Sequence, residues 1–193
     1  MNAPETVDQL FELYEARGSE FYGESLTQVE HALQSAALAS GERASDQMIL
    51  AALFHDVGHL VTEVQNEEEF DFAHDDDVHE ALGARILSPL FGPAVARPVS
   101  LHVTAKRWRC TREPAYIEQL SDASRATLQA QGGLLSDDEC LRFEEHPGFV
   151  DALTLRTWDD EAKVVGKDAG ALRDYVTMAN SLAASWSRAR RAH

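Results

Sequence analysis

The chain has 193 residues, enough for one domain with a single sizeable core. Its 33 acidic and 17 basic residues give a formal charge of -16, which repels phosphate backbones and anionic membranes and argues against nucleic acid as a general partner. No apolar run approaches the roughly 20 residues that a bilayer span requires, so no membrane partner is expected either. Cys110 and Cys140 are too few for a disulfide framework, and MNAPETVDQL lacks the basic start and apolar core of a signal peptide. The expected compartment is the cytoplasm.

Helical periodicity recurs in segment after segment while alternating runs are scarce, so an all-α single domain over residues 1–193 is expected. The first helix is expected over 5–17, where VDQLFELYEAR repeats apolar side chains at helical spacing. The second, over 27–40, takes Thr27 as its cap, ends before Gly41 and carries His31. The third runs from Ser45 or Asp46 to Asp56, with Gly58 marking its end, and closes on the adjacent pair His55 and Asp56. NEEEFDFAHDDD reads as a solvated loop. A helix over 77–90 then carries His79 before Pro89 and Gly92 break the pattern. The next, over 93–108, presents His102. Further helices are expected over 114–131, 136–146 and 147–163, punctuated by Gly132-Gly133 and Pro147, with a last one over 170–190.

The chemistry concentrates on His55 and Asp56. An imidazole beside a carboxylate at the end of the apolar run MILAALFHDVGHL is expensive to bury, and a metal ion satisfies both groups at once. His31, His79, His102 and Asp159 supply further ligands from separate helices. Four imidazoles and two carboxylates form an N/O set suited to iron, manganese, zinc or nickel rather than calcium. Six groups are too many for one ion that keeps a reactive position open, so a two-metal site bridged by Asp56 is the natural reading. Asp160 and Glu161 leave the Asp159 assignment open by one residue. His74, His146 and His193 read as solvated.

Three cationic or proton-bearing groups stand one helical turn from a metal candidate: His59 four residues after His55, Lys106 four after His102, and Arg156 three before Asp159. They point to an anion pocket beside the metals, where an arginine fork matches phosphate-like oxygens.

The segments YGESLTQVEHALQ, LAALFHDVGH, HEALGARIL, HVTAKRW, LSDASRATLQAQGG with its following RFEE, and LRTWDDEAK resemble the HD-domain superfamily. Within it they are similar to the mixed-valent diiron oxygenases of the PhnZ type, which cleave the carbon-phosphorus bond of 1-hydroxyphosphonates. The resemblance implies that His31, His55, Asp56 and Asp159 hold one iron and that Asp56, His79 and His102 hold the other. It implies that His59, Lys106, Ser124 and Arg156 receive the phosphonate oxygens, with an Fe(II)/Fe(III) pair as cofactor and O2 as co-substrate. The family's iron-capping tyrosine matches Phe21 here, which has no oxygen to give; either Tyr22, one place along, takes the role after a local shift, or the cap is lacking. Glu24, near the expected entrance, suits a substrate ammonium group. His59, Tyr22 and Glu24 are thus the expected catalytic groups, and an amino or trimethylammonio substituent is expected on the substrate. Two rivals share the HD pair: a metal-dependent phosphohydrolase acting on a phosphate ester, and a non-catalytic, metal-stapled sensor of an anion or nucleotide.

Overall fold

The computed structural model describes residues 3–21, 25–61 and 79–192, and every regular element among them is a helix. The order is α1 (Val7–Arg17), α2 (Gln28–Gly41), α3 (Asp46–Phe54), α4 (Val57–Val61), α5 (His79–Phe91), α6 (Pro93–Arg112), α7 (Tyr116–Gln119), α8 (Asp122–Ala126), α9 (Asp137–Glu144), α10 (Phe149–Glu161) and α11 (Arg173–Arg191). The all-α expectation is met. None of these helices is long and apolar enough to cross a membrane.

Side chains at the helix starts explain several boundaries. Thr27 and Glu30 form a reciprocal capping box that opens α2, and Ser136 with Glu139 does the same for α9. Ser45 caps α3 by accepting from the Met48 N–H. Pro93 begins α6, where a missing N–H costs nothing.

Four boundaries differ from the sequence expectation. The segment 114–131 is not one helix but the short pieces α7 and α8 followed by turns. Leu120 and Ser121 are extended between them, because the Ser121 hydroxyl caps α8 through the Ser124 N–H. Pro89 lies inside the last turn of α5 rather than ending it, and α6 runs on to Arg112. Finally, α3 stops at Phe54, and Gly58 sits within α4 rather than terminating α3. A Cβ on Gly58 would lie 2.0 Å from the His79 carbonyl oxygen, so glycine is what lets α4 touch the start of α5.

The long helix α6 is central: it packs against α5, α10 and α3, while α2 lies on α3 and α10. Leu50, Leu53, Phe54, Val57, Leu60, Leu87, Val99 and Leu155 are fully buried in the shared core. Each such side chain contributes about 1.5–3 kcal/mol of burial. Phe54 anchors the layer, edge-on to Phe11 with ring centres 5.5 Å apart and stacked on Phe91 at 6.1 Å. The Tyr14 hydroxyl donates to the Leu53 carbonyl at 3.2 Å, tying α1 to the end of α3. That end is where the chemistry begins.

Candidate metal centre

Neighbouring residues on a regular helix point about 100° apart and do not face each other. His55 and Asp56 nevertheless converge, with His55 Nε2 3.3 Å from Asp56 Oδ2, because the helix breaks between α3 and α4 at this pair. His31 arrives from the first turn of α2, His79 opens α5, His102 lies mid-way along α6, and Asp159 sits in the last turn of α10. Five of the six are buried and Asp56 is half-buried.

Backbone carbonyls set the imidazole tautomers. Nδ1 of His31 donates to the Ala162 carbonyl at 2.9 Å, Nδ1 of His55 to Ala52 at 2.8 Å, and Nδ1 of His102 to Val99 at 2.8 Å. With Nδ1 committed, Nε2 carries the free lone pair. The Nε2 atoms then meet in two pairs, His31 with His55 and His79 with His102, each 3.1 Å apart. Asp56 stands between the pairs. Its Oδ2 lies 3.6 Å from His31 Nε2 and 3.3 Å from His55 Nε2, and its Oδ1 lies 3.5 Å from His79 Nε2 and 3.6 Å from His102 Nε2. Asp159 Oδ1 joins the first pair, 3.2 Å from His31 Nε2 and 3.8 Å from His55 Nε2. Nitrogens and carboxylate oxygens packed this closely in a buried space favour a positive charge among them, a proton or a metal ion.

Electrostatics agree. Burial alone would pull the His55 imidazole down, yet Asp56 and Asp159 overcome it and push its pKa up to about 10. Burial raises both carboxyls, but His55, His59 and His79 around Asp56, and Arg156 and Lys163 around Asp159, hold each well below the ordinary range. His102 is driven down to about 3 by burial and by the charge of His79, so it stays neutral and ready to ligate. The donor set and its spacing are compatible with metal binding around His31, His55 and Asp56, and around Asp56, His59 and His79.

Of the four residues expected to receive an anion, Lys106, Ser124 and Arg156 come together near Asp159, while His59 lies against His79. His59 stacks on His79 with ring centres 3.9 Å apart. Lys106, buried on α6, donates to the Ser124 carbonyl at 3.2 Å and the Thr127 hydroxyl at 3.1 Å, and burial with the nearby Arg156 charge lowers its pKa to about 7. Ser124 Oγ is 3.4 Å from Arg156 Nη2. Arg156 also donates to Asp159, Asp160 and the Tyr116 hydroxyl, so most of its fork is engaged by protein. Tyr22 and Glu24 fall outside the described residues, as do His74 and His193; Phe21 is 61% exposed. His146 is a turn residue whose Nδ1 accepts the Gly148 N–H at 3.0 Å.

Two residues escaped the sequence reading. Lys163 places Nζ 3.0 Å from Ser124 Oγ and 3.7 Å from Asp159 Oδ1, although its position four residues after Asp159 is the spacing that singled out Lys106. Gln34 is fully buried and grips both backbone groups of Val164, with Nε2 2.9 Å from the carbonyl and Oε1 3.1 Å from the N–H. It thereby holds down the segment whose Ala162 carbonyl orients His31.

Residues 26–131 match the HD domain. The chain is 45% identical to the hydroxymethylphosphonate dioxygenase of Gimesia maris, over 92% of this chain and 88% of that protein. It is 34% identical to the [1-hydroxy-2-(trimethylamino)ethyl]phosphonate dioxygenase (glycine-betaine-forming) of Leisingera caerulea, over 84% and 83% of the two chains. An uncharacterized protein of Acanthamoeba polyphaga mimivirus is 36% identical over 89% of this chain and 78% of its own length. The chain belongs to the HD-domain phosphonate dioxygenases of the PhnZ type. For a dioxygenase of this family, the break at His55-Asp56 has a functional sense: it turns one carboxylate toward two separate histidine pairs.

Proposed function

We propose that this HD-domain dioxygenase binds two irons, as an Fe(II)/Fe(III) pair, and uses O2 to cleave the carbon-phosphorus bond of a 1-hydroxyalkylphosphonate, giving a carboxylic acid and inorganic phosphate. The observation that carries this reading is Asp56, whose two oxygens face different histidine pairs at 3.3–3.6 Å. His31, His55, Asp56 and Asp159 would hold one iron, and Asp56, His79 and His102 the other. Bound there, the irons supply coordination of the substrate oxygens and the reduction of O2.

The chain's own residues do the positioning. His59, Lys106, Ser124 and Arg156 receive the phosphonate oxygens, and Lys106 gains its proton firmly once a dianion offsets the burial and the neighbouring Arg156 charge that lower its pKa. The pocket's cations attract a substrate that the net charge of -16 would otherwise repel.

The relatives bear on the substituent at C1 in two ways, since one is named for hydroxymethylphosphonate and the other for a trimethylamino compound. The sequence expectation of a cationic substituent rests on Glu24 and Tyr22. The test is an anaerobic, iron-loaded protein mixed with a panel of 1-hydroxyphosphonates, followed by O2 addition and a phosphate assay. Phosphate release that depends on both iron and O2 is expected. Release of phosphate from esters under anaerobic conditions with manganese or nickel would instead support the hydrolase, and hydroxymethylphosphonate as the best substrate would overturn only the cationic substituent.

A further inference from the structure

Asp159 has two oxygens with different duties. Oδ1 faces His31, His55 and Lys163, whereas Oδ2 takes Arg156 Nη1 at 2.7 Å. Arg156 thus holds the oxygen that is turned away from the histidines. The guanidinium is in turn held by a closed ring of contacts. Its Nε donates to the Tyr116 hydroxyl at 2.9 Å, its Nη2 donates to Asp160 Oδ1, and the Tyr116 hydroxyl donates to Asp160 Oδ2. Arg109 closes the outside of the ring, lying over the Tyr116 face at 4.1 Å and reaching Asp160 Oδ2 at 3.5 Å.

The elements are arranged for this. Arg156, Asp159 and Asp160 occupy positions i, i+3 and i+4 on one face of α10, while Tyr116 is delivered by the single turn of α7. Tyr116 and Arg156 are both buried, so the arginine plane has little freedom unless these partners are removed. Two carboxylates, one at each terminal nitrogen, and a third hydrogen bond at Nε together fix the guanidinium in plane and in rotation.

We propose that Tyr116 and Asp160 are positioning residues for the metal centre, acting through Arg156 to hold Asp159 with Oδ1 toward His31 and His55. This rests on the reading of Asp159 as a metal ligand. It assigns to the second aspartate of the WDD sequence, and to a tyrosine 44 residues away, a function distinct from ligation.

The test loads wild type, Tyr116→Phe and Asp160→Asn with iron(II) anaerobically and follows metal loss to an excess of chelator, then repeats both substitutions in an Arg156→Gln background. Substrate and O2 are absent, so the readout is independent of the proposed reaction. Each single substitution is expected to speed metal loss or weaken metal affinity about 10–100-fold, as loss of outer contacts to a ligand does elsewhere. In the Arg156→Gln background neither should add more than about twofold, because the pair works through that arginine. A merely structural network would instead lower the melting temperature of the metal-free protein without this dependence on Arg156. Metal release unchanged in Tyr116→Phe, or an equal acceleration with Arg156 already replaced, would overturn the proposal. Should Asp160→Asn fail to fold, Tyr116→Phe in the two backgrounds is sufficient to decide between these outcomes. Wild-type protein that takes up no iron would remove the metal reading itself and this inference with it.

Discussion

The histidine side and the cation side of this centre are built on opposite principles. Three of the histidines are locked by backbone carbonyls: His55 and His102 by their own preceding turns, His31 by Ala162. Their Nε2 atoms point at one another and at Asp56 with nothing but charge to reconcile them. The cations are held by the protein itself: Arg156 by two carboxylates and a tyrosine, Lys106 by a carbonyl and a hydroxyl, Lys163 beside Ser124 and Asp159. On the proposed function, a cation completes the first half, and the second keeps its charges in place before any anion arrives, which lowers the cost of ordering them on binding.

The most severe way to break this division is Asp56→Ala. With the carboxylate shared by both histidine pairs gone, metal analysis should find neither ion retained, and activity should vanish. The metal-linked part of stability, about 2.7 kcal/mol when free metal is a hundredfold above its dissociation constant, should vanish too. A variant that still holds two irons would contradict the bridging role.

Arg156→Ala should show that one residue serves both halves. It leaves Asp159 and Asp160 without their main partner, so the cost to stability measured by denaturant unfolding should be about 3–5 kcal/mol. Metal loss and a raised apparent dissociation constant for substrate should accompany it.

Lys106→Ala should separate the halves. Metal content should stay at the wild-type level while the apparent dissociation constant for a 1-hydroxyphosphonate rises about tenfold to a hundredfold, the equivalent of 1.5–3 kcal/mol for a charge-assisted bond. Normal affinity in this variant would locate the anion elsewhere.

A finer comparison uses pH. Lys106 titrates at about 7 in the folded protein and near 10.5 when exposed, so its burial penalty is complete below about pH 7 and is relieved as pH rises toward 10.5. Metal-free Lys106→Met should therefore be more stable than metal-free wild type at pH 6, with the gap closing toward pH 10.5. A gap independent of pH would show that the lysine charge is not what burial penalises.

The smallest effect concerns Glu24, expected from the sequence to face a substrate ammonium group. Glu24→Gln should narrow any preference for substrates with an amino or trimethylammonio group over hydroxymethylphosphonate. The aromatic contribution to such a preference is about 0.5–2 kcal/mol. Equal catalytic efficiency on both classes in the wild type would dispose of the cationic pocket and leave the metal centre untouched.

Much of this was readable from the chain because it depends on short-range chemistry. Periodicity and caps such as Thr27 and Ser45 located the major helices, since a capping side chain and the first turn it satisfies are only three residues apart. The six candidate ligands were legible because imidazole and carboxylate in apolar helical segments have few inexpensive partners other than a metal. Three candidate anion-binding groups, His59, Lys106 and Arg156, were picked out by single-turn spacing.

What lay beyond the sequence depends on contacts between distant elements. The close approach of α4 to the start of α5 depends on Gly58 meeting the His79 backbone, a contact spanning 21 residues in the chain and invisible to local pattern. The collapse of 114–131 into two short helices serves to bring Tyr116 and Ser124 against α10. The choice between Asp159 and its neighbour Asp160 was likewise tertiary. Both lie one turn from Arg156, and only the directions of His31 and Arg156 turn one carboxylate toward the histidines and the other toward Tyr116. The residue types and their helices were set by the sequence itself. Which oxygen faces which nitrogen was decided by packing, because a rotation of a few ångströms at the end of a side chain is governed by whatever the fold places beside it.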